Sequence, residues 1–298
     1  MRALYAPLAK WFGGRLLYDE PLARHTAARL GGPAEALVAV ETVSELVLAA
    51  SFAWERDIPY RILGGGTNVL VSDAGFRGLV IVNRAARVEI EEGGTVRAES
   101  GASLSTLARR CMKRGLGGLE WAVNVPGTVG GAVINNAGAH GGDMAGCVRR
   151  VALHRPGGAE EWPVRQMRYG YRASALKGSG ERFVVTAATL ALVPGCDPEA
   201  LQAQAAAWVA HRKRTQPPGA SLGSIFKNPP GDYAGRLIEA AGLKGRQVGG
   251  VQISPLHGNF FINLGGGTAA DYLALIRLAQ ETVAARFGVW LELEIELW

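Results

Sequence analysis

Glycine constrains this chain more than any other residue. There are 41 glycines among 298 residues, against a usual share of about 7%, and they are grouped. Gly64-Gly65-Gly66-Thr67-Asn68 lies between two strand-like runs, and Pro126-Gly127-Thr128-Val129-Gly130-Gly131 lies in a later segment. Grouped glycines either close tight turns or let successive backbone N–H groups converge on an anion. The first loop is followed by apolar strand rather than helix, so neither the Walker nor the Rossmann pattern applies. Two such loops in different segments suit a dinucleotide whose diphosphate lies between subdomains.

Around the loops, hydrophobic spacing describes a mixed α+β chain. Ala36–Val40 reads as a strand, and Thr42 with Glu45 forms a capping box before a helix carrying Leu46, Ala50 and Trp54. Tyr60–Leu63, Val69–Val71 and Leu79–Val82 read as buried strands, a βαβ-type arrangement. Val88–Ile90 and Val96–Ala98 flank Gly93-Gly94 as a hairpin, and Ser103 caps a helix that Gly115 ends. Val151–His154, Ala159–Trp162 and Phe183–Leu192 read as further strands. Pro194-Gly195 marks the clearest boundary, and Asp197-Pro198 opens a helix through Arg212. The spacing predicts a loop over Gly219–Gly223, a strand over Gly258–Leu264 and a long helix capped by Thr268 with Asp271. Three segments follow: 1–84, 85–193 and 194–298.

Composition narrows the function. No apolar run approaches the ~18 residues of a membrane span, and Met1–Lys10 lacks the basic end and apolar core of a signal peptide. Cys111, Cys147 and Cys196 form no paired motif and read as reduced, buried thiols of a cytoplasmic protein. A net charge of +6 and a pI near 9.4 favour anionic partners. The basic residues are dispersed, with Arg212-Lys213-Arg214 the densest cluster, so nucleic acid is not the expected ligand. No obligate protein partner is evident. His25, His140, His154, His211 and His257 show no metal-ligand spacing, and no metal is expected.

Several motifs admit two readings each. Gly265-Gly266-Gly267-Thr268-Ala269-Ala270 fits a dinucleotide fingerprint, yet too few residues follow to build a doubly wound sheet, which favours a loop and helix cap. Ser224, in Gly223-Ser224-Ile225-Phe226-Lys227-Asn228-Pro229, has no nucleophile elbow and is either a proton donor or a turn hydroxyl. Arg172, in Tyr169-Gly170-Tyr171-Arg172, could fork onto a carboxylate or phosphate or form a surface ion pair. In the terminal run, period two puts Val289, Leu291, Leu293, Ile295 and Leu297 on one face and Glu292, Glu294 and Glu296 on the other.

These fragments, in this order from about Leu22 to Ile295, resemble the UDP-N-acetylenolpyruvoylglucosamine reductase family. The resemblance rests on Ile62–Asn68, Pro126–Gly131 with Asn135–Gly142, Tyr171-Arg172, Gly223–Pro229, Ala234–Glu239 and Glu294-Ile295. It implies an α+β fold of the vanillyl-alcohol-oxidase type: two FAD-binding subdomains and a C-terminal α+β substrate-binding domain. It implies non-covalent FAD, contacted by Gly64, Gly65, Gly66, Thr67, Asn68, Pro126, Gly127, Thr128, Gly130, Gly131, Asn135 and Gly138. NADPH is the implied hydride donor and UDP-N-acetylglucosamine enolpyruvate the implied acceptor, in peptidoglycan synthesis.

Three catalytic residues follow from the resemblance. Arg172 would stabilise a developing enolate, Glu294 would act beside it as a hydrogen-bonding carboxylic acid, and Ser224 would deliver a proton to the carbanionic carbon. Tyr171, Lys227, Asn228 and Asn259 would bind substrate. Leu293 replaces a proline common in the family, which leaves Glu292 as the alternative carboxyl. His140 stands where an aromatic residue is more frequent, altering a flavin contact. The chain length suits the shorter subclass, which lacks a tyrosine-bearing closing loop. Another flavin dehydrogenase or oxidase of the same fold is the competing reading, opposed by this proton-donating set.

Overall fold

The computed structural model describes residues Arg2–Trp298; Met1, where the amino-terminal expectation began, lies outside them. In chain order the elements open with α1 (Ala6–Phe12), β1 (Leu16–Pro21), β2 (Pro33–Val40), α2 (Val43–Glu55), β3 (Tyr60–Leu63), β4 (Val69–Leu70) and β5 (Phe76–Asn83). There follow β6 (Val88–Ile90), β7 (Thr95–Glu99), α3 (Leu104–Met112), α4 (Val129–Asn135), β8 (Gly138–Ala139), β9 (Gly142–Asp143), α5 (Met144–Cys147), β10 (Val148–Arg155), β11 (Gly158–Pro163) and β12 (Val184–Ala191). The chain ends with α6 (Pro198–Thr215), β13 (Ala220–Ser224), α7 (Ala234–Ala240), β14 (Gln247–Val248), β15 (Val251–Ile253), β16 (Phe260–Asn263), α8 (Ala269–Phe287) and β17 (Glu296–Leu297). Among the described residues no helix is long and apolar enough to cross a membrane.

Where the sequence predicts three contiguous segments, the structure forms two compact units, each discontinuous along the chain. The first holds residues up to Tyr18, Ala36–Gly65 and Gly78–Ala210; the second holds Asp19–Glu35, Gly66–Arg77 and His211–Trp298. Two early excursions therefore fold with the C-terminal part. Ala28, Leu30 and Leu70 share a core with Leu222, Ile238, Phe261, Leu275 and Ile295, and apolar burial holds such excursions regardless of sequence distance.

In the first unit, β11-β10-β12-β7-β6 form one sheet, with antiparallel neighbours throughout. Its core gathers Leu104, Leu107, Val133, Val151 and Leu190. A separate sheet runs β1-β2-β5-β3, with β3 parallel to β5. Its core is Leu8, Val38, Leu46, Phe52, Leu79 and Ile81. The cap at Thr42 is half the predicted box: its hydroxyl accepts from the Glu45 N–H, but the Glu45 carboxylate reaches the Glu41 N–H and Arg15 instead. The second unit carries the sheet β13-β16-β15-β14, with α8 packed on β14 and β15. Here the Thr268–Asp271 box is complete.

Three predictions are corrected. Gly219–Gly223 is not a loop: Ala220–Ser224 is strand β13, irregular between Ser221 and Ser224, because Gly223 at φ +74 inserts a bulge. The terminal run is not one strand, and only Glu296–Leu297 forms β17, parallel to β4. The run changes partners partway. Leu293 bridges Phe226, whereas Trp298 donates to Leu70, so the chain bends at Glu294. Leu297 is exposed as a result. Cys196 is also only half-buried, while Cys111 and Cys147 are buried as expected; burial pushes their thiols up to about 11 and about 12.

Candidate active site

In the first unit the glycine loops show why they lack side chains. A Cβ on Gly64 would lie 2.5 Å from Thr128 Oγ1, and one on Gly130 would lie 2.9 Å from the Ser100 Cβ. Thr128 caps α4 by accepting from the Gly131 N–H, and the Gly130 N–H donates to the Ser100 carbonyl. Among the described residues, the backbone N–H groups of Gly64, Gly65, Gly127 and Thr128 meet no backbone acceptor. The buried Asn135 Oδ1 has no partner, although its Nδ2 donates to the Gly131 carbonyl. Unmatched donors and a buried unmatched acceptor are what a polar ligand bearing phosphates and a heterocycle would satisfy. The loops therefore fit the FAD that the resemblance implies.

The same first unit holds Arg172, in the left-handed region at φ +54. Its guanidinium donates to the carbonyls of Asn136 (3.4 Å) and Gly138 (2.9 Å), and it lies over the Tyr171 ring at 5.3 Å. Tyr171 is 55% exposed. Gly138 also has a packing reason: a Cβ there would lie 2.7 Å from the Gly142 carbonyl. His140, at the tip of the β8–β9 hairpin, stacks on Trp208 with ring centres 4.8 Å apart and planes 1° apart.

The second unit holds the remaining candidates. Gly66 must be glycine because a Cβ would lie 2.1 Å from the His25 carbonyl. Asn68 Nδ2 donates to the Glu294 carbonyl (3.2 Å), and the Asn68 carbonyl accepts from the Glu296 N–H. Glu294 N–H donates to the Ile225 carbonyl, and Lys227 N–H to the Glu292 carbonyl, both at 2.8 Å. Ser224–Lys227 thus runs directly beside Glu292–Glu294. The Glu292 carboxylate turns to Lys227 Nζ at 3.2 Å and is 72% exposed at the side chain, which makes Glu294, the less exposed of the two, the better catalytic candidate. Ser224 is half-buried on the bulged end of β13.

Two of the expected substrate residues, Asn259 and Asn228, also bond protein backbone. Asn259 is 2% exposed; its Oδ1 accepts from the Phe226 N–H and its Nδ2 donates to the Phe226 carbonyl. Each end of the Asn259 amide makes one bond to the Phe226 backbone, so Asn259 clamps the segment that follows Ser224. Asn228 Oδ1 accepts from the Ala234 N–H at the start of α7. In the Gly265–Gly267 turn before α8, Asn263 Oδ1 accepts from the N–H groups of both Gly265 and Gly267.

What sequence reading missed is Asn136, which is 3% exposed and left-handed at φ +43. The signal for it was an asparagine directly after a helix, where the left-handed conformation is common.

Comparison with known proteins establishes the family. Residues 34–158 match an FAD binding domain, and residues 215–298 match the C-terminal domain of UDP-N-acetylenolpyruvoylglucosamine reductase. A UDP-N-acetylenolpyruvoylglucosamine reductase of Symbiobacterium thermophilum is 46% identical over 96% of this chain and 92% of its own length. One from Chloroflexus aggregans is 44% identical over 94% of this chain and 96% of its own length. The crystal structure of the reductase from Thermus caldophilus superposes with a TM-score of 0.81 at 38% identity, covering 94% of this chain and 97% of that one. Relatedness at this level over nearly the full length makes the chain a member of the UDP-N-acetylenolpyruvoylglucosamine reductase family.

Proposed function

We propose that this protein is a cytoplasmic oxidoreductase that uses NADPH and non-covalent FAD to reduce the enolpyruvyl group of UDP-N-acetylglucosamine enolpyruvate. The product is UDP-N-acetylmuramate, for peptidoglycan synthesis. The observation that carries this reading is family membership across nearly the whole chain. FAD, when bound, supplies the two-electron chemistry that links a nicotinamide to an electrophilic carbon. Gly64, Gly65, Gly66, Thr67, Asn68, Pro126, Gly127, Thr128, Gly130, Gly131, Asn135 and Gly138 would hold it.

The remaining chemistry belongs to side chains of this protein. Hydride addition to the terminal carbon of an enol ether conjugated to a carboxylate pushes charge onto that carboxylate and the adjacent carbon. Arg172 neutralises the charge as it develops. Glu294 acts beside it as a hydrogen-bonding carboxylic acid, and Ser224 Oγ–H protonates the carbanionic carbon. A hydroxyl is a weak acid, but a positioned one suffices for so strong a base. Tyr171, Lys227 and Asn228 engage the carboxylate and the nucleotide. Neither nucleic acid nor a protein partner is required.

Anaerobic titration tests the reading. The yellow protein bleaches with NADPH, and adding the enolpyruvyl sugar nucleotide restores the flavin absorbance with one equivalent of muramate product. Bleached enzyme that stays bleached after that addition sinks the proposal.

A further inference from the structure

We propose that Asn136 is a positioning residue for Arg172, acting through the turn of residues 170–174; the inference rests on the role given to Arg172 above. A non-glycine residue in the left-handed region carries strain of about 1 kcal/mol and persists only where its surroundings over-determine it. Arg172 is such a residue. Its turn is closed by two backbone hydrogen bonds, from Gly170 N–H to the Ala173 carbonyl at 3.1 Å and from Ala173 N–H to the Gly170 carbonyl at 3.2 Å. One isolated bridge does not orient a long side chain, so the turn must be docked onto something.

The C-terminal end of α4 provides the dock. Asn136 Nδ2 donates to the Gly170 carbonyl at 2.9 Å, and Ser174 Oγ donates to the Ile134 carbonyl at 2.6 Å. The guanidinium returns to the carbonyls of Asn136 and Gly138. Lys177 Nζ adds a bond to the Arg172 carbonyl at 3.3 Å.

Asn136 is the centre of this arrangement because its amide links three separate segments. Besides Gly170, Nδ2 reaches Asp143 Oδ2 at 3.2 Å, and Oδ1 accepts from the Ala145 N–H at 3.0 Å. One buried amide thereby joins the helix α4, the segment after the β8–β9 hairpin and the arginine turn. Thr128, the N-cap at the other end of α4, lies within the Pro126–Gly131 loop assigned to the cofactor. A seven-residue helix thus connects that loop to the cationic group.

Substitution by glycine isolates the amide, because glycine adopts the left-handed backbone without strain. Asn136→Gly should retain FAD and be reduced by NADPH within about twofold of the unmodified enzyme, while reoxidation by the enolpyruvyl sugar nucleotide slows about 10- to 100-fold. Amide hydrogen exchange over residues 170–174 should quicken in the same variant. In an Arg172→Ala background, Asn136→Gly should add no further loss, since a positioning residue has nothing to position once its group is gone. Losses that add in the double variant, or that fall equally on both half-reactions, overturn the proposal. Should Asn136→Gly lose FAD, Asn136→Ala carries the same measurements, as it removes the donor to Gly170 without setting a second carboxylate beside Asp143. If the unmodified enzyme is itself not reoxidised by that substrate, the functional reading fails; exchange at residues 170–174 then decides alone, and unchanged exchange overturns the role of Asn136.

Discussion

Ser224 and Asn259 show how differently two polar side chains of the second unit are used. Ser224 is half-buried on a bulge, while both ends of the Asn259 amide are bound to Phe226. Replacing each should therefore do different things. Ser224→Ala should leave flavin reduction by NADPH intact and slow reduction of the sugar nucleotide by at least about 100-fold; stopped-flow absorbance separates the two half-reactions, and equal losses would refute proton donation. Asn259→Ala should instead cost about 2–3 kcal/mol of stability by leaving a buried N–H and a buried carbonyl unpaired, measured by urea unfolding. His257 adds a pH dependence nearby. Burial, with the Lys244 charge second, holds its imidazole below the ordinary range, and its Nδ1 accepts from the Asn259 N–H. The unfolded chain therefore binds the proton more readily than the folded one, so stability is full above the ordinary imidazole pKa of about 6.5 and declines as the pH falls towards the depressed folded value. The melting temperature of His257→Gln should fall less steeply below that pH than that of the unmodified protein.

At the scale of elements, two devices near the chain's end do separate work. The bulge in β13 depends on Gly223 at φ +74, where a Cβ would meet nothing within 4 Å. Gly223→Ala is therefore limited by backbone strain alone, about 1–2 kcal/mol, and relief of that strain should re-aim Ser224. We expect its kcat for sugar-nucleotide reduction to drop more than its melting temperature suggests, compared with Thr268→Ala. The latter removes half of a complete capping box on α8, costs about 1 kcal/mol and should leave kcat unchanged. Sequence patterning anticipated α8 and its cap, because capping residues and helical spacing are local. It did not anticipate β13 or the bend at Glu294. Both depend on which strand lies alongside: Phe260 opposite Ser224, Phe226 opposite Leu293 and Val69 opposite Glu296.

For the molecule as a whole, a net charge of +6 meets a nicotinamide dinucleotide and a nucleotide sugar that are both anionic. Raising salt should weaken capture of both through screening. The expected result is a rise in KM of roughly 2- to 5-fold between 0.05 and 0.5 M KCl with kcat nearly constant; a fall in kcat with constant KM would contradict it. The chain's own order of residues determined α2, α3, α6 and α8, the two glycine-rich stretches, and the family pattern that marks Ser224, Arg172 and Glu294 as candidates. Those are matters of spacing within a few residues, or of a family pattern spread along the chain. Only the tertiary structure decided that residues 19–35 and 66–77 belong with the C-terminal unit, that Asn259 is a clamp and that Asn136 holds the arginine turn. The reason is physical: a hydrogen-bond partner or a buried contact is chosen by distance in space, and distance along the chain carries no record of it.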